Sequence, residues 1–472
     1  MHSELSRLVG AEYVLEVPAG SPYNRDAARR RGVEGCAQAV VLPGSVAEVA
    51  RVVGWCYAHD VPIVPRGGGT GLTGGAVPLT GGVVCSMERL TRIRELEPAL
   101  WRIHSEAGVT TRHVQRLARE NGLMFAPDPG AAEQSQIGGN VATNAGGPHA
   151  LKYGATGNWV SGLEVVVAPG ELIELGGWLG KDVAGYDLKR LLIGSEGTLG
   201  VITAVRLRLL PAPEAALALV VFLRTRAEGC AAIGEVFAAG LQPSVLDFLD
   251  GETLRIVAGA YLRESPGSEN GGPEVPLQAG FALIIELDGT RAHAEAQRAD
   301  VLELLGSAAV AVHEPPDAGS LWRWRDGINP VVTAVRGAKV SEDVVFPVER
   351  LAEGLYGFER IAADHGLRSC AWGHGGEGNV HATVLVDPGA DAELDAADAV
   401  AQELFALTIS LGGSVTGEHG VGWLKRGQLE AQWDARAVEL HEEVKRAFDP
   451  KGLMNPGKKL ARYPAGSPPI SS

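Results

Sequence analysis

The run His374-Gly-Gly-Glu-Gly-Asn379-Val-His381 sets two imidazoles seven residues apart around three glycines. On a straight strand an odd spacing sends side chains to opposite faces, so a glycine turn between the two histidines is needed for them to converge. Glu418-His419-Gly420 then adds a carboxylate and a third imidazole. Two histidines and a carboxylate suit a divalent cation, which leaves one imidazole to accept a proton near neutral pH. The competing reading of each motif taken alone is a histidine that only hydrogen-bonds within its turn.

A second chemistry is written in glycine. Pro65-Arg66-Gly67-Gly68-Gly69-Thr70-Gly71-Leu72-Thr73-Gly74-Gly75-Ala76 holds six glycines in twelve residues. Without Cβ atoms the backbone can lie against a ligand and turn successive N–H groups toward one anion, as a diphosphate cradle requires. A solvent loop is the alternative for this run by itself. It is followed by Pro127-Asp-Pro-Gly130, by Gln136-Ile-Gly-Gly-Asn140-Val-Ala-Thr-Asn144-Ala-Gly-Gly147, and by Lys181 to Asp187 with Gly194-Ser-Glu-Gly-Thr-Leu-Gly200. Asn140 and Asn144 can donate to and accept from a ligand that glycine lets approach.

The elements that must position these motifs follow from periodicity. Ser45-Val-Ala-Glu48 reads as a capping box, and Val49, Val52, Val53 and Cys56 repeat at helical spacing after it. Short strands are predicted at Val61 to Val64, Gly82 to Ser86, Arg102 to Ala107 and Val201 to Leu209, with Thr110 capping a helix that reaches Asn121. Pro211 and Pro213 mark a domain boundary. Beyond them the order is strand (217 to 223), helix (227 to 239), strand (245 to 249), strand (281 to 287), helix (291 to 305) and strand (308 to 313), a ferredoxin-like arrangement. Helices are also predicted over 348 to 365, 391 to 411 and 437 to 448. The stretch Arg263 to Gly280 has the composition of a surface loop, and Tyr463 to Ser472 that of a disordered tail.

A chain of 472 residues has room for two or three domains. Its 42 basic and 57 acidic residues leave a formal charge of -15, which argues against general attraction to nucleic acid or anionic lipid. An anionic substrate would therefore need a local positive site. The five cysteines are scattered without a Cys-x-x-Cys pair, so no iron–sulfur cluster or structural zinc is expected, and a reducing cytoplasm suits them. Neither a signal peptide nor an apolar run of about 20 residues is present. The reading is a cytoplasmic protein.

Taken in order, the segments Pro65 to Ala76, Gly138 to Gly147, Gly185 to Asp187 with Gly194 to Gly200, His374 to His381, Gly417 to Gly420 and Asn455 to Lys458 resemble the FAD-linked 2-hydroxy-acid dehydrogenase and oxidase family. This family includes glycolate oxidase large subunits, D-lactate dehydrogenases and D-2-hydroxyglutarate dehydrogenase, within the vanillyl-alcohol-oxidase or PCMH-type flavoproteins. The resemblance spans roughly residues 35 to 460. It implies an α+β fold with an N-terminal segment (1–34), a PCMH-type FAD-binding domain of two α+β subdomains (35–213), a ferredoxin-like cap with an antiparallel sheet (214–415), and a C-terminal segment returning to the flavin (416–472).

By the same resemblance, Arg66, Gly67, Gly68, Gly69, Thr70, Gly71, Leu72 and Gly74, together with Pro127, Ile137, Gly138, Gly139, Asn140, Thr143, Asn144 and Gly146, would hold FAD. Glu196, Gly197, Gly200, Val201, Ile202 and Asn455 would line the rest of it. His374, His381 and Glu418 match the ligands of a zinc-like divalent cation, and His419 matches the base. Arg325 and Lys339 fall where the substrate carboxylate is held. Two departures are visible. Asn329 stands where the hydroxyglutarate enzyme has a threonine, and the first glycine loop has no histidine for covalent flavin attachment, so dissociable FAD is expected.

The resemblance implies oxidation of a small anionic 2-hydroxy acid, such as D-lactate, glycolate or D-2-hydroxyglutarate, to the 2-oxo acid. Electrons would pass to a separate acceptor, for example an iron–sulfur or electron-transfer protein, and a homodimer is compatible with this reading. The rivals are a non-redox transferase of the alkyl-glycerone-phosphate synthase type, which carries His-His-Gly where this chain has Glu418-His419-Gly420, and a FAD subunit of an electron-transfer complex.

Overall fold

The computed structural model describes residues 1–261 and 273–460. The tail expected to be disordered and most of the expected surface loop lie outside these residues. The chain divides into two compact units: Met1–Gly147 with Gly154–Ala212 and Glu418–Ser472, and Pro148–Tyr153 with Pro213–Gly417.

The first unit has two sheets. In one, Ile63–Arg66 and Ala39–Val41 flank Val83–Ser86 in parallel, and Val14–Leu15 adds an antiparallel edge. The helix Val46–Ala58 buries Val49, Val52, Val53 and Cys56 as its spacing predicts. Its cap is divided: Ser45 accepts from Glu48 N, while Glu48 Oε2 takes the amide of Gly44. The other sheet is antiparallel and five-stranded, in the order Ile93–Glu97, Arg102–Glu106, Val201–Arg208, Val160–Val167, Glu171–Gly176. These are the two α+β subdomains of the expected fold.

The C-terminal stretch closes this unit. Met454 pairs with Ile63 at the free edge of the first sheet, with Ile63 N donating to Leu453 O (2.9 Å) and Asn455 N to Ile63 O (2.8 Å). The helix Ala435–Phe448, capped by Asp434, leads into it. Lys445 at its end donates to Thr198 O and Met454 O, so one buried ammonium ties the tail to the 194–200 loop.

The second unit is built on an antiparallel sheet of seven strands. In chain order these are β1 (Ala215–Leu223), β2 (Val245–Asp250), β3 (Phe281–Gly289), β4 (Ala311–His313), β5 (Ala338–Val345), β6 (Arg368–His374) and β7 (Asn379–Val386). They lie in the order β4-β1-β3-β2-β6-β7-β5. The four ferredoxin-like strands read from the sequence are there, and β6, β7 and β5 extend them past β2. The helices are α1 (Arg226–Ala238), α2 (Gly251–Tyr261), α3 (Arg291–Leu305), α4 (Ala318–Asp326), α5 (Ile328–Ala334), α6 (Leu351–Asp364) and α7 (Asp391–Ser410).

Register decides what each sheet face carries. Ala218, Val220 and Phe222 of β1, Ala282 and Ile284 of β3, Leu249 of β2, Trp372 of β6 and Leu385 of β7 share one face. They form a core with Leu254 of α2, Leu321 and Trp324 of α4, and Ile328 and Val332 of α5. Burying each large apolar side chain contributes roughly 1.5–3 kcal/mol, so the turn from α4 to α5 is firmly seated. On the opposite face Phe248 stacks on Phe281 with ring centroids 5.4 Å apart, and α1 passes close enough that a Cβ on Gly229 would lie 2.0 Å from the Phe281 ring.

Candidate active site and cofactor cradle

The register also aligns chemistry. Trp372 of β6 pairs with His381 of β7, and His381 pairs with Asp343 of β5. His374, two residues after Trp372, therefore points to the same face as His381. The hairpin between them is a short 3-10 turn, Gly375–Glu377, ending at Gly378 with φ 69°. A Cβ at Gly378 would meet Phe346 O at 1.9 Å, so glycine is required there both for its backbone angle and for room. The odd spacing of the histidines is thus reconciled by a tight hairpin, and their rings stand edge to face with centroids 5.4 Å apart.

Asp343 is fully buried and organises the start of this hairpin. Its Oδ1 accepts from Asn379 Nδ2 (2.6 Å), and its Oδ2 accepts from Thr416 Oγ1 (3.0 Å) and Gly417 N (2.8 Å). The chain is thereby held up to the residue before Glu418. Lys339, on the same face of β5, stands 4.5 Å from the Trp372 ring as a cation–π pair.

Arg325 reaches the same face from α4. Asp317 caps this helix by accepting from Ser320 N at 2.8 Å, and its buried Leu321 and Trp324 turn the remaining stripe toward the sheet. Trp322 Nε1 donates to Glu286 of β3 (2.6 Å), and Arg325 Nε donates to Asp247 of β2 (3.0 Å). Asp247 also accepts from His374 Nδ1 at 2.7 Å. Burial alone would raise the Asp247 carboxyl, but the charges and hydrogen bonds of His374 and Arg325 outweigh it and hold the group below the ordinary carboxylate range. The Nη2 of Arg325 is buried and has no hydrogen-bond partner among the described residues. A guanidinium edge in that state is suited to a ligand carboxylate. Asn329 is exposed one helical turn later on α5.

Asp247 and Glu286 were not singled out from the sequence. Each is a lone acid in an apolar strand, and the partners lie 127 and 78 residues away for Asp247, and 36 for the Trp322 bond of Glu286. A further unpredicted feature is that Pro148–Tyr153 belongs with this unit although the sequence assigns it to the FAD domain. His149 Nε2 donates to Glu286 Oε1 (2.8 Å), while Lys152 and Tyr153 bond Asp288. Glu286 would be raised by burial, yet the bonds from His149, Trp322 and Ser244 bring it below its ordinary value.

In the first unit the glycine segments meet. A Cβ on Gly67 would lie 3.5 Å from Gly139 Cα, and one on Gly68 would strike Gln134 O at 2.0 Å. Gly67 thus lies against the helix Ile137–Thr143 that carries Gly138, Gly139 and Asn140, and Gly68 against the turn before it, whereas Gly69, Gly71 and Gly74 stand beside Arg66, Asp26 and Val33 with Trp423. The Arg66 guanidinium is committed to Pro22 O and Ala76 O, so it shapes the loop through its side chain. Asn140 Nδ2 donates to Thr111 (2.5 Å), Thr143 Oγ1 to Gly139 O (3.2 Å), and Asn144, with φ 53°, accepts from Gly157 N (2.8 Å). Pro127 O is held by Gln115 (2.8 Å).

Glu196 and Asn455 pin the C-terminal stretch to this cradle. Glu196 accepts from Val421 N (3.0 Å) and Gly422 N (2.6 Å), and Asn455 Nδ2 donates to Gly75 O (2.8 Å) and Glu196 O (2.7 Å). Glu418 and His419 lie on the same stretch, 3.8 Å apart between carboxylate and Nε2, and Thr73 Oγ1 holds the His419 carbonyl at 3.3 Å. Gln136 Oε1, Ser195 Oγ and Asn455 Oδ1 are buried without a partner among the described residues. Unsatisfied polar atoms beside a Cβ-free backbone are what a bound dinucleotide would complete, so the cradle fits FAD.

Of the cation ligands expected from the sequence, the second unit contributes the two imidazoles His374 and His381. Asp247 engages Nδ1 of His374, which makes Nε2 the ring nitrogen able to offer a lone pair.

The two α+β subdomains with their glycine cradle, and the antiparallel sheet that carries histidines, Arg325 and Lys339, define a PCMH-type flavoprotein. A solved p-cresol methylhydroxylase with substrate bound is similar in fold, with a TM-score of 0.79 at 18% identity over 97% of this chain and 96% of that one. A family profile described as "FAD binding domain" matches residues 37–176, and one described as "FAD linked oxidases, C-terminal domain" matches residues 212–459. Glycolate oxidase subunit GlcD of Bacillus subtilis (strain 168) is 35% identical over 90% of this chain and 89% of its own length. D-2-hydroxyglutarate dehydrogenase of Xanthomonas citri pv. viticola is 34% identical over 94% and 93%. The chain belongs to the FAD-linked hydroxy-acid dehydrogenase and oxidase family, and its cofactor is FAD. No helix among the described residues is long and apolar enough to cross a membrane.

Proposed function

We propose that this enzyme oxidises a small 2-hydroxy acid to the 2-oxo acid, with Arg325 and Lys339 binding the carboxylate, His419 taking the hydroxyl proton, and a zinc-like divalent cation held by His374, His381 and Glu418. The observation that carries the reading is the buried Nη2 of Arg325, which has no hydrogen-bond partner among the described residues, on the sheet face shared by His374, His381 and Lys339. FAD, when bound, supplies the acceptor for the hydride leaving the α-carbon. The chain's own part is to fix the acid and manage its proton. Arg325 presents a planar edge to one carboxylate and Lys339 adds a point charge. The imidazole of His419 removes the hydroxyl proton as the C–H bond weakens. A cation on the histidines and glutamate would polarise the hydroxyl oxygen as a Lewis acid.

FAD is read as dissociable, because the loop from Arg66 to Ala76 offers no histidine for attachment. Glycolate and D-2-hydroxyglutarate, named in the relatives, bound the substrate class between a C2 acid and one with a second carboxylate. The name "subunit" in the Bacillus relative supports a separate protein as electron acceptor. Anaerobic mixing with a panel of D- and L-2-hydroxy acids tests the reading: one or more should bleach the flavin absorbance stoichiometrically, and a panel without any bleaching rejects it.

A further inference from the structure

Asp247 is nearly inaccessible, at 1% exposure, and neither solvent nor sheet pairing explains it. It stands opposite Ile284 of β3 in a strand otherwise built of apolar residues on that face. One oxygen accepts from His374 Nδ1 and the other from Arg325 Nε, at 2.7 and 3.0 Å. A buried carboxylate costs several kcal/mol to desolvate unless strong donors meet it. Here its two donors come from β6 and α4, the two elements that carry the cation and carboxylate halves of the proposed site.

We propose that Asp247 is the shared positioning residue of this site, a single carboxylate that sets the His374 tautomer for cation binding and the Arg325 orientation for substrate binding. The inference rests on the reading given under Proposed function. Accepting from Nδ1–H forces the lone pair of His374 onto Nε2, and the negative charge raises the basicity of that nitrogen. Accepting from Nε fixes the guanidinium plane and leaves its end edge, formed by one N–H of each terminal nitrogen, for a ligand. The buried Nη2, without a partner among the described residues, is then presented for an incoming carboxylate. The two jobs need both oxygens to be acceptors. An amide of the same size has one acceptor and one donor, so it can satisfy only one of them.

Asp247→Asn is therefore the informative variant. Purified with its FAD, it should keep flavin absorbance and an unchanged spectrum, because the cradle belongs to the first unit. Zinc affinity, measured by chelator competition on the resting protein, should fall by about 10- to 100-fold. KM for the 2-hydroxy acid should rise at least about tenfold. Asp247→Ser, smaller and able to admit water, is carried in parallel so that a folded variant is available. Asp247→Glu should recover neither loss fully, since the longer side chain displaces both bonds. Unchanged zinc affinity and KM in the Asn or Ser variant overturn the proposal, as does loss of only one of the two. If the wild-type protein itself binds no zinc and is bleached by no 2-hydroxy acid, the underlying reading has failed instead.

Discussion

Arg325 illustrates what one residue must reconcile in this protein. The chain carries a formal charge of -15, so an anion approaches a surface that on average repels it. The proposed recognition charge is placed where water screens it little: the Arg325 side chain is 14% exposed, and its counter-ion Asp247 only 2%. Truncation would remove the proposed substrate contact, and it leaves Asp247 without one donor. Arg325→Ala should raise KM by the equivalent of about 2 to 4 kcal/mol while FAD content stays unchanged. Steady-state kinetics beside flavin absorbance measure both, and an unaltered KM would place the carboxylate elsewhere. His374 and His381 were legible in the sequence because they sit in a run of distinctive residue types, and Arg325 was placed by the family resemblance. Asp247 was not. In Val245-Leu-Asp-Phe-Leu-Asp250 it reads as the polar member of an ordinary strand, and only the fold brings in His374 and Arg325. A residue whose function is to join others far along the chain leaves no local signature.

At the scale of elements the same contrast holds. Helix caps and apolar spacing marked the four ferredoxin-like strands and the two helices α1 and α3, because those signals are local, whereas the strands Ile93–Glu97, Val160–Val167 and Glu171–Gly176 and the helix α2 were not read. The extension of the sheet by β5, β6 and β7 is a matter of pairing between segments, as is the placement of Pro148–Tyr153 on Glu286 and Asp288. Asp250, the last residue of β2, shows how such a junction stores pH dependence. It is buried at the start of α2, where its carboxylate accepts from Thr253 N at 2.7 Å. Burial pushes its carboxyl up to about 6, more than the hydrogen bonds and Arg226 pull it down. A carboxyl raised in the folded state favours folding below its unfolded value, and this contribution is lost as pH rises through 6. Asp250→Asn keeps the capping oxygen without the ionisation. The variant should match the wild type near pH 4 and gain about 1 to 3 kcal/mol by pH 8, read from denaturant melts at several pH values. A constant difference across that range would show that ionisation of Asp250 carries no cost.

The C-terminal stretch is hydrogen-bonded to the cradle through Glu196 and Asn455. Glu196 accepts the amides of Val421 and Gly422, and these are buried bonds. Glu196→Ala leaves two donors unsatisfied, each costing about 1 to 3 kcal/mol. The thermal midpoint should fall, and the variant should lose FAD on gel filtration in buffer that the wild type survives. Retained FAD with a lowered midpoint would make this contact one of stability alone.

For the molecule as a whole, FAD and the proposed cation would make separable demands on the chain. The glycine segments, Glu196 and Asn455 belong to the first unit, as does Glu418, whereas His374 and His381 belong to the second. Their partners differ too: backbone carbonyls and amides hold the cradle in place, and Asp247 and Asp343 hold the histidine hairpin. Chelation should therefore strip the cation and leave the flavin. The reductive half-reaction depends on stabilising an alkoxide as it forms, for which a Lewis acid contributes several kcal/mol. Removing it should slow anaerobic flavin bleaching by at least about 100-fold, and zinc or another divalent cation should restore the rate. Metal analysis, flavin absorbance and a rapid-mixing assay on the same sample separate the two demands. If metal-free protein with full FAD bleaches at the original rate, His374 and His381 act as direct hydrogen-bond partners of the acid, and Glu418 serves to orient His419.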